Sequence, residues 1–174
     1  MTQLDASQGP RTAAVDSQLH FTAFQQGDTN WNTAASCEDE CCRTCPDGWT
    51  PFGNKCYQFH HAPKTWADAE HFCTTLGGNL ASLHTQEQYK AFRHVILRVT
   101  GTHTNTWVGS YDSSGEGVWL NSDGSPFDFK GWANGEPNNS GGKEHCMEIN
   151  YKGKDFVNDT PCGQKKSFAC ARDL

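Results

Sequence analysis

Two stretches of this chain repeat apolar residues every three or four positions, while the rest alternates over much shorter distances. In TWADAEHFCTTLGG, Trp66, Ala69, Phe72 and Cys73 share one side of a helix; Thr65 is placed to cap its start, and Gly77 and Gly78 to end it. A second helix is predicted over 85–99, with Tyr89, Phe92, Ile96 and Val99 along one face and Thr85 and Gln88 as a capping box. After Gly101 the pattern changes to short strands separated by turns: WVGS at 107–110, GVWL at 117–120, CMEINY at 146–151 and SFACA at 167–171. The segment CPDGWTPFGNKCYQF, starting at Cys45, mixes aromatic and turn residues in the manner of a short hairpin closed by a disulfide. Residues 1–36 show no sustained period and read as a flexible leader, with Leu19, Phe21 and Phe24 leaving room for one short docked strand.

Composition narrows the picture. The length of 174 residues, with 35% hydrophobic and 20% charged, fits one buried domain plus a tail, and 17 Gly with 7 Pro make it loop-rich. A net charge of -6 without any basic block excludes a nucleic-acid footprint. No apolar run approaches the roughly 20 residues of a membrane span. Nine cysteines point to an oxidising compartment and therefore to a secreted, extracellular protein. The N-terminal MTQLDASQGPRTAAVDS lacks the apolar stretch of a secretory signal, so export is implied without being encoded here. Eight histidines invite a search for catalysis, but there is no GxSxG elbow, HExxH pair or P-loop. His60, His61, His71, His84, His94 and His103 are scattered over hairpin, helices and loops and read as surface or packing residues, so no enzyme is expected.

About 25 residues with little periodicity separate GVWL from CMEINY, and a loop that long inside a compact domain is usually functional. In this loop and just beyond it, EPNNSGGKEHCMEINYKGKDFVND places Glu136, Asn138, Glu144, Asn158 and Asp159, hard oxygen donors with almost no competing soft ligand. Calcium takes roughly 6–8 oxygen ligands, and positions that the protein leaves open can accept sugar hydroxyls.

Taken together, CPDGW, WADAEHFC, GGNLASLH, WVGS, GVWLNSDG, EPN, the Asn158–Asp159 pair before Cys162, and FACA resemble the C-type lectin-like domain, over about 130 residues from Cys45 to the C-terminus. The GGNLAS, SDGS and EPNN phrasing resembles the small secreted fish members of that family. The resemblance implies an α+β fold: a single domain with two helices, two small antiparallel sheets and a long ligand-binding loop. It also implies disulfides Cys45–Cys56, Cys73–Cys170 and Cys146–Cys162. By family analogy Glu136, Asn138, Glu144, Asn158 and Asp159 form the main calcium and carbohydrate site, three carboxylates offsetting the ion's charge while the carboxamides serve both metal and sugar. A cis bond between Glu136 and Pro137 is expected, since X-Pro bonds reach cis at modest cost and the turn can aim both flanking side chains at one point. The family's EPN triplet goes with mannose-type sugars, so the leading expectation is a calcium-dependent mannose-binding lectin. A calcium-independent lectin of galactose or lactose preference, or an antifreeze or protein-binding use of the same fold, is the alternative.

Three features depart from the family pattern. Phe156 and Val157 precede Asn158 where the family reads Trp-Asn-Asp, which predicts a bulge in the sheet. Lys143 and His145 flank Glu144 and would weaken calcium. A second calcium is expected at Asp112, Glu116 and Asn139, with Asn139 standing where a carboxylate is frequent. The sequons at Asn138 and Asn158 overlap the ligands, and coincidence is the better reading.

Cys37, Cys41 and Cys42 lie in CEDECC at 37–42, within a neck assigned to residues 37–44 ahead of the domain at 45–174. An odd number leaves at least one thiol free or paired between chains. The leading expectation is a disulfide-linked homodimer, whose two sites would gain avidity on glycans of microbial or mucosal surfaces and agglutinate cells in innate immunity. A vicinal Cys41–Cys42 bridge, and a zinc site from Cys37, Cys41, Cys42 and Cys45, are the competing readings.

Overall fold

The computed structural model describes residues 44–174, so the leader and the CEDECC cysteines Cys37, Cys41 and Cys42 lie outside the described residues. The chain runs β1 (Thr50–Phe52), β2 (Lys55–Lys64), α1 (Trp66–Thr75), β3 (Asn79–Leu80), α2 (Gln86–Thr100), β4 (Thr106–Tyr111), β5 (Leu120–Asn121), β6 (Cys146–Ile149), β7 (Asn158–Thr160) and β8 (Lys166–Asp173). The architecture is α+β. The main sheet is ordered β1-β2-β8-β4-β6-β7, with β3 added to β8 and β5 to β4. Antiparallel pairs on either side are joined by a two-residue parallel match, Thr106 to Ser167 and Trp107 to Phe168. Through that seam the two expected small sheets become one mixed sheet.

Both helices start where capping chemistry places them. The Thr65 hydroxyl accepts the Asp68 N–H at 3.2 Å, and the Thr85 hydroxyl accepts the Gln88 N–H at 3.1 Å. The reciprocal half of the second capping box is displaced by one residue: Gln88 Oε1 accepts the His84 N–H at 2.8 Å, while its amide donates to the Tyr57 hydroxyl and the Ser82 carbonyl. Gly101, with φ of 73°, closes α2 in the left-handed conformation that a Cβ would disfavour. Within GVWL only Leu120 lies in a strand, because β5 begins there; Gly117 ends the preceding turn and Val118 and Trp119 are irregular. There the chain is pinned to β4 by the Ser110 hydroxyl on Asn121, at 2.7 Å.

Successive strand residues point to opposite faces of a sheet, and neighbouring residues here belong to different clusters. Trp107, Cys146, Phe168 and Cys170 pack with Ala69 and Cys73 of α1. Val108, Met147, Ala169 and Ala171 pack with Tyr89, Phe92 and Ile96 of α2. The central strands are therefore buried on both faces, and the long loop is built on a rigid base. Disulfides Cys73–Cys170 and Cys45–Cys56 staple α1 and the N-terminal segment to the sheet; Cys146–Cys162 joins β6 to the segment that follows β7.

Candidate functional site

Strand β7 presents Asn158 and Asp159 next to the loop that starts at Glu136. Its ladder with β6 runs without interruption, Glu148 to Asn158, Met147 to Asp159 and Cys146 to Thr160. The bulge expected from the displaced aromatic does not form: Val157 is buried in the core, and Phe156 packs on Tyr151 with ring centres 5.8 Å apart. A buried valine fills the space ahead of Asn158 without shifting the register.

The Glu136–Pro137 peptide is cis, and Asn139 follows in the left-handed region at φ 41°. These two turns fold the loop back on Asp159. Its Oδ1 accepts the Asn138 N–H at 3.1 Å and its Oδ2 the Asn139 N–H at 2.7 Å. Glu144 Oε2 accepts the Ser140 N–H at 2.8 Å, and the Glu144 N–H donates to Asn139 Oδ1 at 3.0 Å. Glu136, Glu144 and Asp159 are thereby gathered around one loop with little positive charge among them.

The electrostatic consequence is largest at Glu136. Burial first, then the Asp159 carboxylate and the charge of Glu144, push its carboxyl up to about 7. Protonated, Glu136 can donate to Asp159; ionised, its buried Oε2 has no hydrogen-bond donor. Glu144 is raised as well, by burial and by Asp159 and Glu148, against the opposing Ser140 N–H and Lys166. An arrangement of this kind leaves a negative, oxygen-lined position in want of a cation. The donor chemistry suits a hard divalent ion, although among the described residues only Asp112, Glu116 and His145 bring three ligand atoms within 4.8 Å of one another, and Glu136, Glu144 and Asp159 stand further apart.

Behind Asn158 lies a group that the sequence did not single out. Glu148 is fully buried; its Oε1 accepts from Asn158 Nδ2 at 3.2 Å, and its Oε2 meets Lys166 Nζ at 3.0 Å and Asn105 Nδ2 at 2.9 Å. Lys166 also lies over the Trp107 ring at 4.9 Å. Because Glu148 takes the nitrogen of the Asn158 amide, the amide oxygen is left free for another partner. The signal was present in the sequence as an acidic residue inside the apolar run CMEI.

The second expected group assembles differently. Buried Asp112 accepts the Gly117 N–H on Oδ2 at 2.8 Å, and its Oδ1 lies 3.0 Å from His145 Nδ1. Glu116 Oε2 is 3.6 Å from the same nitrogen. Asn139 turns its amide nitrogen to Glu116 and spends its oxygen on the Glu144 N–H. His145 thus faces Asp112 and Glu116 rather than the Glu136 loop. Of the expected trio, Asp112 and Glu116 gather around His145, while Asn139 meets Glu116 through its amide nitrogen.

One further constellation bears on catalysis. His84 and Asp128 line a cleft of about 360 Å³, with His84 Nδ1 2.7 Å from Asp128 Oδ1, and His84 Nε2 lies 3.4 Å from the Ser125 hydroxyl. A serine nucleophile must give its proton to the imidazole, but Ser125 gives it to Asp123 at 2.5 Å. The hydroxyl is spent on a turn.

Residues 62–172 match the family model described as the lectin C-type domain. The chain is 40% identical over 155 residues to galactose-specific lectin nattectin of Thalassophryne nattereri, covering 89% of this chain and 97% of that one. Among solved structures, herring type II antifreeze protein is similar with a TM-score of 0.69 and 29% identity, over 75% of this chain and 99% of that one. The C-type carbohydrate-recognition domain of cow CD23, solved in the presence of a GlcNAc2Man3 oligosaccharide, is similar with a TM-score of 0.67 and 33% identity, over 76% and 98%.

Proposed function

The chain belongs to the lectin C-type domain family, a non-enzymatic fold, and from that membership we propose that it is a secreted calcium-dependent lectin for mannose-type sugars. The observation that carries this reading is the buried, unpartnered Oε2 of Glu136 beside Asp159 and Glu144. Glu136, Asn138, Glu144, Asn158 and Asp159 hold the ion. When bound, calcium supplies open coordination positions that two neighbouring sugar hydroxyls can share. The side chains do the rest. A carboxylate accepts a hydroxyl proton, and the amides of Asn138 and Asn158 complement the same hydroxyls as donor or ligand.

The preference for mannose-type sugars rests on Glu136 and Asn138 flanking Pro137, which places acceptor and amide in a fixed order along the loop. A galactose preference is the second reading, favoured by the similarity to nattectin, a galactose-specific lectin. A glycan array probed with and without chelator separates the two. Mannose, fucose and N-acetylglucosamine glycans should bind with calcium and be released by EDTA; galactose preference in calcium supports the second reading, and binding untouched by EDTA removes calcium from the account.

Cys37, Cys41 and Cys42 extend the proposal to a disulfide-linked homodimer, which would raise apparent affinity about 10²–10⁴-fold on multivalent surfaces such as microbial or mucosal glycans. Non-reducing electrophoresis should give a dimer band that reductant collapses. A monomer band at every concentration contradicts the linkage.

A further inference from the structure

The geometry points to a second, chemically distinct metal centre: Asp112, Glu116 and His145 form a site for zinc, or a similar borderline divalent ion, and not for calcium. Their ligand atoms all lie within 4.8 Å of one another. From His145 Nδ1, Asp112 Oδ1 is 3.0 Å away and Glu116 Oε2 3.6 Å away. Zinc–ligand bonds of about 2.0–2.1 Å at tetrahedral angles place neighbouring donors about 3.3 Å apart, between those two separations.

Donor type favours the same ion. Calcium takes roughly 6–8 oxygens and has little use for an imidazole, whereas one imidazole with two carboxylates suits zinc and leaves a fourth position for water. Asn139 presents its Nδ2 to Glu116 Oε2, a hydrogen bond that an ion on that oxygen would replace, and turns its Oδ1 to the Glu144 N–H rather than toward the set. Asp112 is preset for ligation: it is 2% exposed, and the Gly117 N–H fixes its Oδ2 while Oδ1 faces the imidazole. His145 and Glu116 are accessible enough for an ion to enter without unfolding the loop.

The inference stands apart from sugar recognition and is tested on the full chain, after any free thiol of Cys37, Cys41 and Cys42 is alkylated with the disulfides intact. Zinc chloride is titrated by calorimetry at neutral pH in millimolar calcium. One zinc per chain is expected. His145→Ala should weaken it by more than the about 10–100-fold that outer-shell changes cost, and His145→Asp should lose zinc while gaining a second calcium. Wild-type protein that takes no zinc in calcium, or that takes two calcium ions, overturns the proposal, as does equal zinc affinity in all three proteins. The wild-type stoichiometry decides even where a variant fails to fold. Mannose binding measured on the same calcium-loaded sample keeps failure of the sugar reading separate.

Discussion

At the scale of single residues, Glu136 and Lys166 carry the sharpest consequences. The carboxyl of Glu136 sits near 7 without an ion, so an entering cation must displace a proton below that pH. Calcium affinity is therefore expected to be flat above about pH 7 and to fall by up to about tenfold per unit beneath it, as calorimetry at stepped pH would record. The sign for stability is the reverse of a salt-bridged acid. Its pKa is raised from 4.5, so the folded ion-free protein binds more protons than the unfolded chain between about 4.5 and 7. Melting temperatures without calcium should decline as pH rises through that window, and calcium should restore them at neutral pH. Lys166 is tested by Lys166→Met. It leaves Glu148 buried without its cation, a loss of about 3–5 kcal/mol in urea unfolding. A companion Glu148→Gln keeps the shape, and in it calcium affinity should fall more than stability, because the donor and acceptor ends of Asn158 are no longer fixed. Equal melting and equal calcium affinity in both variants would contradict the role given to this pair.

The elements were legible in proportion to how strongly local chemistry dictates them. Both helices could be read from apolar spacing and from the N-caps Thr65 and Thr85, since a cap satisfies backbone donors whatever the tertiary context. GVWL misled because β-rich composition says nothing about partners: Val118 is exposed, and only Leu120 and Asn121 reach β4. The shift at Phe156 and Val157 also misled, since core volume ahead of Asn158, which no local pattern encodes, is filled by the valine. The candidate ligand residues were legible as oxygen donors, whereas the turning of His145 toward Asp112 is a matter of three dimensions. Strand β4 offers a direct check on the seam between the two halves of the sheet. A Cβ at Gly109 would stand 2.5 Å from the Leu80 carbonyl oxygen and 2.9 Å from the Ser122 hydroxyl, and the first is backbone that cannot yield. Gly109→Ala should cost about 1–3 kcal/mol in chemical denaturation; an unchanged midpoint would mean that β3 and β4 are not held so closely.

At the scale of the molecule, the fold separates structural work from recognition. Two apolar clusters on opposite faces of one sheet, with Cys73–Cys170 tying α1 to β8, supply the rigid base. The loop from Glu136 to His145 has few apolar contacts of its own and is held by backbone donors turned onto acidic side chains. A loop so built is ordered by whatever neutralises its carboxylates, and in the proposed function calcium and then sugar would do so on one surface. The measurement that bears most directly on this is a calorimetric titration of mannose into the calcium-loaded chain, repeated with galactose and again after EDTA. Saturable heat is expected with mannose in calcium, weaker heat with galactose and none after chelation. Mannose heat that survives chelation, or no sugar heat with calcium bound, would contradict the account.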